Sequence, residues 1–129
     1  MLRLTPFLPD HSPEHKVQAS HGPAYTIFDE FDHLVCCGGV MVPWQGMGTC
    51  WFYLNPNQRH RVREMYRILI QTLVGIITTY GLVRLEAHVD AEFAAGLRFA
   101  RHLGFECESI MRRWGPGGRD HAMMALVRL

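Results

Sequence analysis

The stretch from Gly48 to Gly104 reads GTCWFYLNPNQRHRVREMYRILIQTLVGIITTYGLVRLEAHVDAEFAAGLRFARHLG and combines strand and helix patterns. Between Val62 and Tyr80, apolar residues recur at alternating steps of four and three, the spacing of one buried helical face. Apolar and polar residues then alternate from Val83 to Val89, as in a strand with one buried face. Two parallel strands need a long crossover between them, usually a helix, so this stretch predicts an α/β domain.

The long helix is expected to begin directly after Asn55. Asn is a favoured N-cap residue, the following proline is tolerated in the first helical turn, and Gln58 would complete a capping box. Gly81 is expected to end this helix. Asp90 is expected to cap the second helix, which would bury Phe93 on its apolar face.

The rest of the chain adds further strands around this unit. Residues 1–23 contain four prolines and no periodicity, so we expect an extended arm or loop with a short strand near residues 2–4. The glycine-rich segment 115–120 predicts the turn of a final hairpin. We therefore predict an arm, 1–23, and one domain, 24–129. Its strands are expected near 24–29, 34–42, 49–54, 83–89, 106–114 and 121–129, and its helices near 56–80 and 91–103.

Composition and charge limit the function classes. The 129 residues are 48% hydrophobic and 19% charged, as expected for one globular domain. The formal net charge of +1 argues against a general polyanion binder. No aromatic residues are interleaved with the arginines near residue 60, so we do not expect a nucleic-acid partner. The most apolar run, residues 68–77, is short and interrupted by polar residues, so we expect no membrane span.

Cysteine and histidine usage points to an intracellular protein without a metal. None of the four cysteines, Cys36, Cys37, Cys50 and Cys107, belongs to a Cys-x-x-Cys pair, and we expect them to be buried and reduced. No signal-peptide pattern is visible. His11 and His15 have a helical metal-ligand spacing, but Pro13 lies between them, so we predict a solvated loop and no metal site.

The order of these elements and their local wording resemble the GNAT acyltransferase superfamily. The segments that carry the resemblance are WFYLNPNQRHR, RLEAHV, ARHLGFE and the closing GRD. GPAYTIFDEFDHLVCCGGV and DAEFAAGLRFARHLGFE are similar, more narrowly, to small GNAT-like proteins of tailed bacteriophages, some of which are virion components. The resemblance implies a single GNAT-like α/β domain with a mixed, mostly antiparallel sheet, helices on both faces and a truncated N-terminal part. The sheet would splay between strands 49–54 and 83–89, where acetyl-CoA would bind.

In the GNAT family, an Arg/Gln-x-x-Gly-x-Gly/Ala motif at the start of the long helix holds the CoA pyrophosphate. The residues that match this motif are Arg59, His60, Arg61, Val62, Arg63 and Glu64. The first arginine is present, but Val62 and Glu64 replace both glycines. Either the basic side chains replace the lost backbone donors, or these arginines form a solvated or partner-binding face. Phe52 and Leu54, on the preceding strand, would border the same cofactor.

The proton-transfer groups that the resemblance implies are largely missing. Ala100 stands where the family often has a tyrosine, and Phe93 where it often has an asparagine. The strand 49–54 contains no carboxylate, although many relatives carry a glutamate there as a base. The candidate catalytic residues are therefore Glu86 and His88, which share one face of their strand, and Tyr53.

Two functions are compatible with these residues. One is a non-catalytic GNAT-fold protein with a degenerate acetyl-CoA site, acting as a structural or virion-associated interaction protein. The alternative is an acetyl-CoA-dependent N-acetyltransferase acting on an amine acceptor. The missing motif residues favour the first. The expected partners are other copies of the chain or virion proteins, and the expected location is the host cytoplasm or the virion.

Overall fold

A mixed sheet of seven strands runs through residues 1–127, the part of the chain that this computed structural model describes. The strands are β1 (Arg3–Pro6), β2 (Ala24–Phe28), β3 (Leu34–Trp44), β4 (Met47–Leu54), β5 (Arg84–Asp90), β6 (Glu106–Met111) and β7 (His121–Val127). Their order is β1-β2-β3-β4-β5-β7-β6, and within residues 1–127 only β4 and β5 pair in parallel. The last two residues of the predicted strand 121–129 lie outside the described part.

The parallel pair is short, and this creates the predicted splay. Register pairs join Met47 to Arg84, Gly48 to Leu85 and Thr49 to Glu86, and the two strands separate beyond them. Gly48 leaves room for the neighbouring core side chains, because a Cβ there would lie 2.5 Å from Val40 Cγ1 of β3 and 2.9 Å from Leu85 Cδ2 of β5. The expected wedge between the two strands is confirmed.

Three helices flank the sheet: α1 (Lys16–Ala19), α2 (Val62–Tyr80) and α3 (Ala94–His102). Both α2 and α3 bury apolar side chains on one face of the sheet, where Ile76, Ile77 and Ala100 join a core cluster. The short helices before β2 lie on the other face, since the His15 ring stacks on Trp51 with centroids 5.1 Å apart. The predicted mixed α/β architecture with helices on both faces is therefore confirmed.

The long helix starts later than predicted. Residues Pro56–Arg61 form a 3-10 helix, and the α-helix begins at Val62. Asn55 does cap, since its Oδ1 accepts a hydrogen bond from the Asn57 N–H at 3.1 Å. Gln58 does not complete a capping box, because its side chain is buried and its Nε2 donates to Asp29 Oδ2 at 3.2 Å. This buried hydrogen bond to Asp29 keeps the Gln58 side chain from capping the helix, and residues Pro56–Arg61 form 3-10 turns instead of α-helical ones.

The second helix also starts later than predicted. It begins at Ala94 with Phe93 as its N-cap residue, and Phe93 is 56% exposed rather than buried. Asp90 ends β5 instead of capping the helix, since its carboxylate binds the Arg119 guanidinium and accepts from the Glu92 N–H. The two-residue turn that Asp90 forms delays the start of α3.

Residues 1–23 are folded against the sheet. The short strand expected near residues 2–4 is present, whereas the rest of this segment is not the extended arm or loop that we expected. The strand Arg3–Pro6 pairs antiparallel with β2, with Arg3 opposite Phe28. Two 3-10 helices and α1 follow and cover part of the neighbouring strands. The expected arm is therefore the edge strand of the sheet and a covering segment, because the prolines interrupt helices here without preventing short turns.

All four cysteines are free thiols, but they are not all buried as predicted. Cys36 and Cys37 are buried and Cys50 is partly buried, whereas Cys107 is exposed on the edge strand β6. None of the helices in residues 1–127 is long and apolar enough to cross a membrane.

Candidate functional site

A cavity of about 310 Å³ lies where β4 and β5 separate, between the sheet and helices α2 and α3. Its walls are mostly apolar and include Cys50, Leu69, Leu73, Ala87, Val89, Phe99 and Leu103. Small-molecule pockets start at about this volume. The wedge is therefore a real space that a small apolar group could enter.

Stacked aromatic rings connect β4, at the wall of the wedge, with helices α2 and α3. The Phe52 ring from β4 lies 4.8 Å from the Phe99 ring of α3, and Tyr66 of α2 stacks on Phe99 at 5.2 Å. His102 packs on the far side of Tyr66, with centroids 5.7 Å apart. Phe52, predicted to border the cofactor, thus faces a ring. Leu54 packs against a second core cluster, which is formed by Leu2, Ile27, Val35, Cys36 and Met65.

The start of α2, where the resemblance to the GNAT superfamily implies a pyrophosphate site, contains an internal ion network centred on Arg61. The Arg61 guanidinium donates to both carboxylate oxygens of Glu30 at 3.3 and 3.2 Å, and to those of Glu64 at 3.1 and 3.2 Å. Hydrogen bonds to Glu64 and then Glu30 raise the pKa of Arg61. Hydrogen bonds from the N-terminal amine, then from the Glu30 backbone, and then from Arg61 lower the pKa of Glu30 to about 2. We call Glu30, Arg61 and Glu64 the internal anion cluster.

The turn between β2 and β3 carries Glu30 into this position, and Asp29 fixes the turn. Asp29 is 3% exposed and accepts hydrogen bonds from the backbone N–H groups of Phe31 and His33 at 2.9 Å each. Burial alone would raise the pKa of Asp29, but these two bonds and the one from Gln58 lower it overall. Asp29 therefore anchors the turn to the 3-10 helix before α2.

The residues at this position do not fit the pyrophosphate of acetyl-CoA. Two carboxylates, those of Glu30 and Glu64, already share Arg61 at the helix start, and they would repel a third anionic group. Val62 is committed to packing against the second core cluster, so it cannot open the backbone as a glycine would. Of the other predicted cofactor residues, Arg59, His60 and Arg63 are exposed.

Glu86 and His88 are brought together on the face of β5 opposite the helices. His88 Nε2 lies 3.5 Å from Glu86 Oε1, and within residues 1–127 this buried nitrogen has no hydrogen-bond partner. Glu86 accepts from Arg84 Nε at 2.9 Å, and the Arg84 guanidinium also binds Glu108. The third candidate, Tyr53, instead lies beside the His15 ring at 6.0 Å.

The position that could supply a proton to a leaving thiolate has no donor. Ala100 is 5% exposed and belongs to the first core cluster. Sequence reasoning missed Asp29 and Glu30 as site residues, although both lie where the strands predicted near 24–29 and 34–42 meet. The signal was available: β3 pairs antiparallel with both β2 and β4, so the β2–β3 turn must lie beside the end of β4.

No protein-family model matches the sequence, and no curated protein matches it significantly. Solved structures do match. A candidate phosphinothricin N-acetyltransferase superposes with a TM-score of 0.82 at 14% identity, covering 100% of this chain and 99% of that one.

Two further neighbours come from named bacteria. Mutant forms of the spermidine/spermine N-acetyltransferase SpeG from Vibrio cholerae give a TM-score of 0.78 at 12% identity, covering 99% of this chain and 95% of that one. A candidate acetyltransferase from Acinetobacter baylyi ADP1 gives 0.78 at 11% identity, covering 98% and 93%. At such low identities the likeness concerns the backbone, and the chain has the fold of the GNAT N-acetyltransferases.

Proposed function

We propose that this chain is a GNAT-fold binding domain that does not transfer acetyl groups and acts through non-covalent contacts with a partner. The observation that carries the proposal is the internal anion cluster, in which Arg61 pairs with Glu30 and Glu64 at the start of α2, within the segment that resembles the GNAT pyrophosphate motif. The absence of a proton donor at Ala100 supports the same conclusion, because the departing thiolate would leave unprotonated.

The proposal is tested by calorimetric titration with acetyl-CoA. We expect no binding heat for the natural chain at concentrations well above those that saturate ordinary acetyltransferases. The double variant Glu30→Gln, Glu64→Gln should gain measurable affinity, because it frees Arg61 and removes two repulsive charges. The matched control is Glu14→Gln, Glu106→Gln, which removes the same charge at two exposed positions outside the ion pairs of residues 1–127.

Binding of acetyl-CoA by the natural chain, followed by release of free CoA in the presence of an amine, would overturn the proposal. A gain of affinity in the control variant would show that net charge, and not the internal anion cluster, excludes the cofactor.

The alternative is an acetyl-CoA-dependent N-acetyltransferase, and two observations favour it. The wedge contains a cavity of about 310 Å³, and His88, which lies 3.5 Å from Glu86, is among the residues that line this cavity. We expect no thiol release when the chain is incubated with acetyl-CoA and a panel of polyamines, amino acids and amino-terminal peptides. Turnover that His88→Ala abolishes, with the fold intact by circular dichroism, would establish the alternative.

The partners proposed from the sequence are another copy of the chain or virion proteins. Exposed apolar side chains on α2, Ile70 at 44% and Val74 at 57%, support a protein contact on this helix. Sedimentation of the natural chain and of Ile70→Ser, Val74→Ser tests the first possibility. A monomer at all concentrations would leave only a foreign partner.

A further inference from the structure

The cavity in the wedge, of about 310 Å³, is large for the interior of a small domain. Close-packed interiors contain few voids larger than a water molecule, because the atoms that line a void lose packing contacts. An apolar cavity of about 150 Å³ is sufficient to bind benzene. The wedge therefore has room for a molecule of roughly twice that size, about ten to twelve heavy atoms.

The walls of this cavity are apolar on the sheet side and on the helix side. From the sheet, β4 contributes Cys50 and Phe52, and β5 contributes Ala87 and Val89. From the helices, α2 and α3 contribute Leu69, Leu73, Ile76, Phe99, Ala100 and Leu103. A hydrophobic molecule in the wedge would therefore exchange contacts with water for apolar contacts on both sides.

The charge of the lining argues against an anionic ligand. Among residues 1–127, the lining contains neither Arg nor Lys, and its one carboxylate belongs to Asp90. Asp90 binds the Arg119 guanidinium and accepts from the Glu92 N–H, and these hydrogen bonds lower the pKa of this carboxyl, the one from Arg119 contributing most. A second anion would be buried here without a cationic partner in the walls, which is costly.

Three polar side chains of the lining are engaged elsewhere. Thr72 donates its hydroxyl to the Ile68 carbonyl oxygen at 2.7 Å, within α2. The Trp51 ring stacks on His15, and the His88 ring packs against Trp114, with centroids 4.8 Å apart. Because a buried water needs about two to four polar partners, these walls suit a hydrophobic molecule better than ordered water.

The rim of the cavity offers a way in. Phe93 lines the cavity and is 56% exposed, so the cavity reaches the surface beside this ring. Gly96 of α3 makes room for the ring, because a Cβ there would lie 2.5 Å from Phe93 Cδ2 and 3.1 Å from Val89 Cγ1. A ligand could therefore enter by displacing one exposed side chain.

We propose that the wedge binds a small uncharged hydrophobic molecule of about ten to twelve heavy atoms, held by shape and apolar contact. Two aromatic rings of the walls, Phe52 and Phe99, stack at 4.8 Å and favour a ligand that itself contains flat rings. The inference rests on the proposed function, because a chain that held acetyl-CoA would use the wedge for that cofactor.

The probes are 2-naphthol, which is uncharged at neutral pH, and 2-naphthoate, which has the same two rings and a carboxylate. Each is titrated into the full chain and followed by NMR spectra of the methyl groups. We expect 2-naphthol to bind with a dissociation constant on the order of 0.1 mM. It should shift the methyl signals of Leu73, Val89 and Leu103, which line the cavity, and not those of the exposed Val17. Binding of 2-naphthoate should be at least about tenfold weaker.

The variant that tests the location is Ala87→Leu, which fills the cavity from β5 and should weaken binding of 2-naphthol at least about tenfold. Cys50→Leu fills the same space from β4 and serves if the first variant does not fold. The matched control is Ala95→Leu, the same substitution at an exposed position of α3 outside the lining. It should change the dissociation constant by less than about twofold. Circular dichroism checks the fold of each variant.

Three results would overturn the inference: no binding of 2-naphthol up to its solubility limit, equal binding of 2-naphthol and 2-naphthoate, or unchanged binding in a folded cavity-filling variant. Acetyl-CoA is titrated into the same chain in parallel. Its binding would overturn the proposed function, whereas failure of 2-naphthol alone would overturn only the hydrophobic ligand.

Discussion

The wedge and the first turn of α2 belong to one strand–helix–strand unit, but their chemistry differs. The wedge is bounded by apolar side chains and contains a cavity of about 310 Å³. At the first turn of α2, charged side chains dominate, since Arg61 binds the carboxylates of Glu30 and Glu64 there. One end of the unit contains a cavity, and at the other end we propose that two carboxylates disfavour a phosphate group.

The difference teaches that shape and charge in one site can change separately. The shape of the wedge follows from strand pairing that stops after Thr49, which depends on backbone and core packing. The charge at the helix start depends on a few side chains, and a single glutamate in the β2–β3 turn alters it. Superposition of backbones therefore detects the shape of the wedge and gives no information about the charge at the helix start.

The largest expected effect tests whether the wedge is closed to water. Cys50 lines the wedge, and burial raises the pKa of its thiol to about 12, so at pH 8 only roughly one molecule in ten thousand carries the reactive thiolate. Cys107 is exposed. We expect alkylation of Cys107 to be at least about a thousandfold faster than that of Cys50, measured by mass spectrometry of peptides.

The matched control for this labelling is Cys107→Ser, which should leave the native chain without a fast thiol. In denaturant, all four thiols should react. Rapid labelling of Cys50 in the native chain would mean that the wedge opens readily to solvent. The wedge would then differ even more from the helix start, where Arg61 is held by two carboxylates.

The next effect concerns the aromatic stack that holds the wall of the wedge. Phe99→Ala removes the ring that packs on both Phe52 and Tyr66, and should lower the free energy of unfolding by about 2–3 kcal/mol. Phe93→Ala, at the N-cap of the same helix and 56% exposed, should cost under about 1 kcal/mol. Urea unfolding measures both. Equal costs would show that the stack does not hold the wedge.

The fold could be predicted because its signals are local. The periodicity of residues 62–80 and the alternation of residues 83–89 each depend on neighbouring residues, and both elements occur where they were expected. The helix start was wrong because Gln58 bonds to Asp29, a residue 29 positions earlier, instead of capping its own helix. A local capping pattern cannot reveal such a competing long-range partner.

The candidate site was predictable only in part. The register of β5 follows from its alternation, so Glu86 and His88 could be placed on one face, and they do lie 3.5 Å apart. The role of Arg61 could not be read from the sequence, because its partner Glu30 lies 31 residues away. A sequence gives the number and order of the charged residues. The electrostatics of a site depend on which of these side chains lie next to one another in the fold.

The smallest expected effect tests the closed end of the comparison through its pH dependence. The pKa of Glu30 is lowered from 4.5 to about 2, so the folded chain binds this proton less readily than the unfolded chain does. The resulting stabilisation is fully present above pH 4.5 and is lost as the pH falls towards 2.

Glu30→Gln should therefore be less stable than the natural chain at pH 7, and the gap in the free energy of unfolding between the two chains should close across this window. Urea unfolding at each pH measures the gap, with Glu106→Gln as a control whose curve stays parallel to that of the natural chain. A constant gap for Glu30→Gln would mean that Glu30 gains nothing from Arg61 and the N-terminal amine, and that the helix start is open to an external anion.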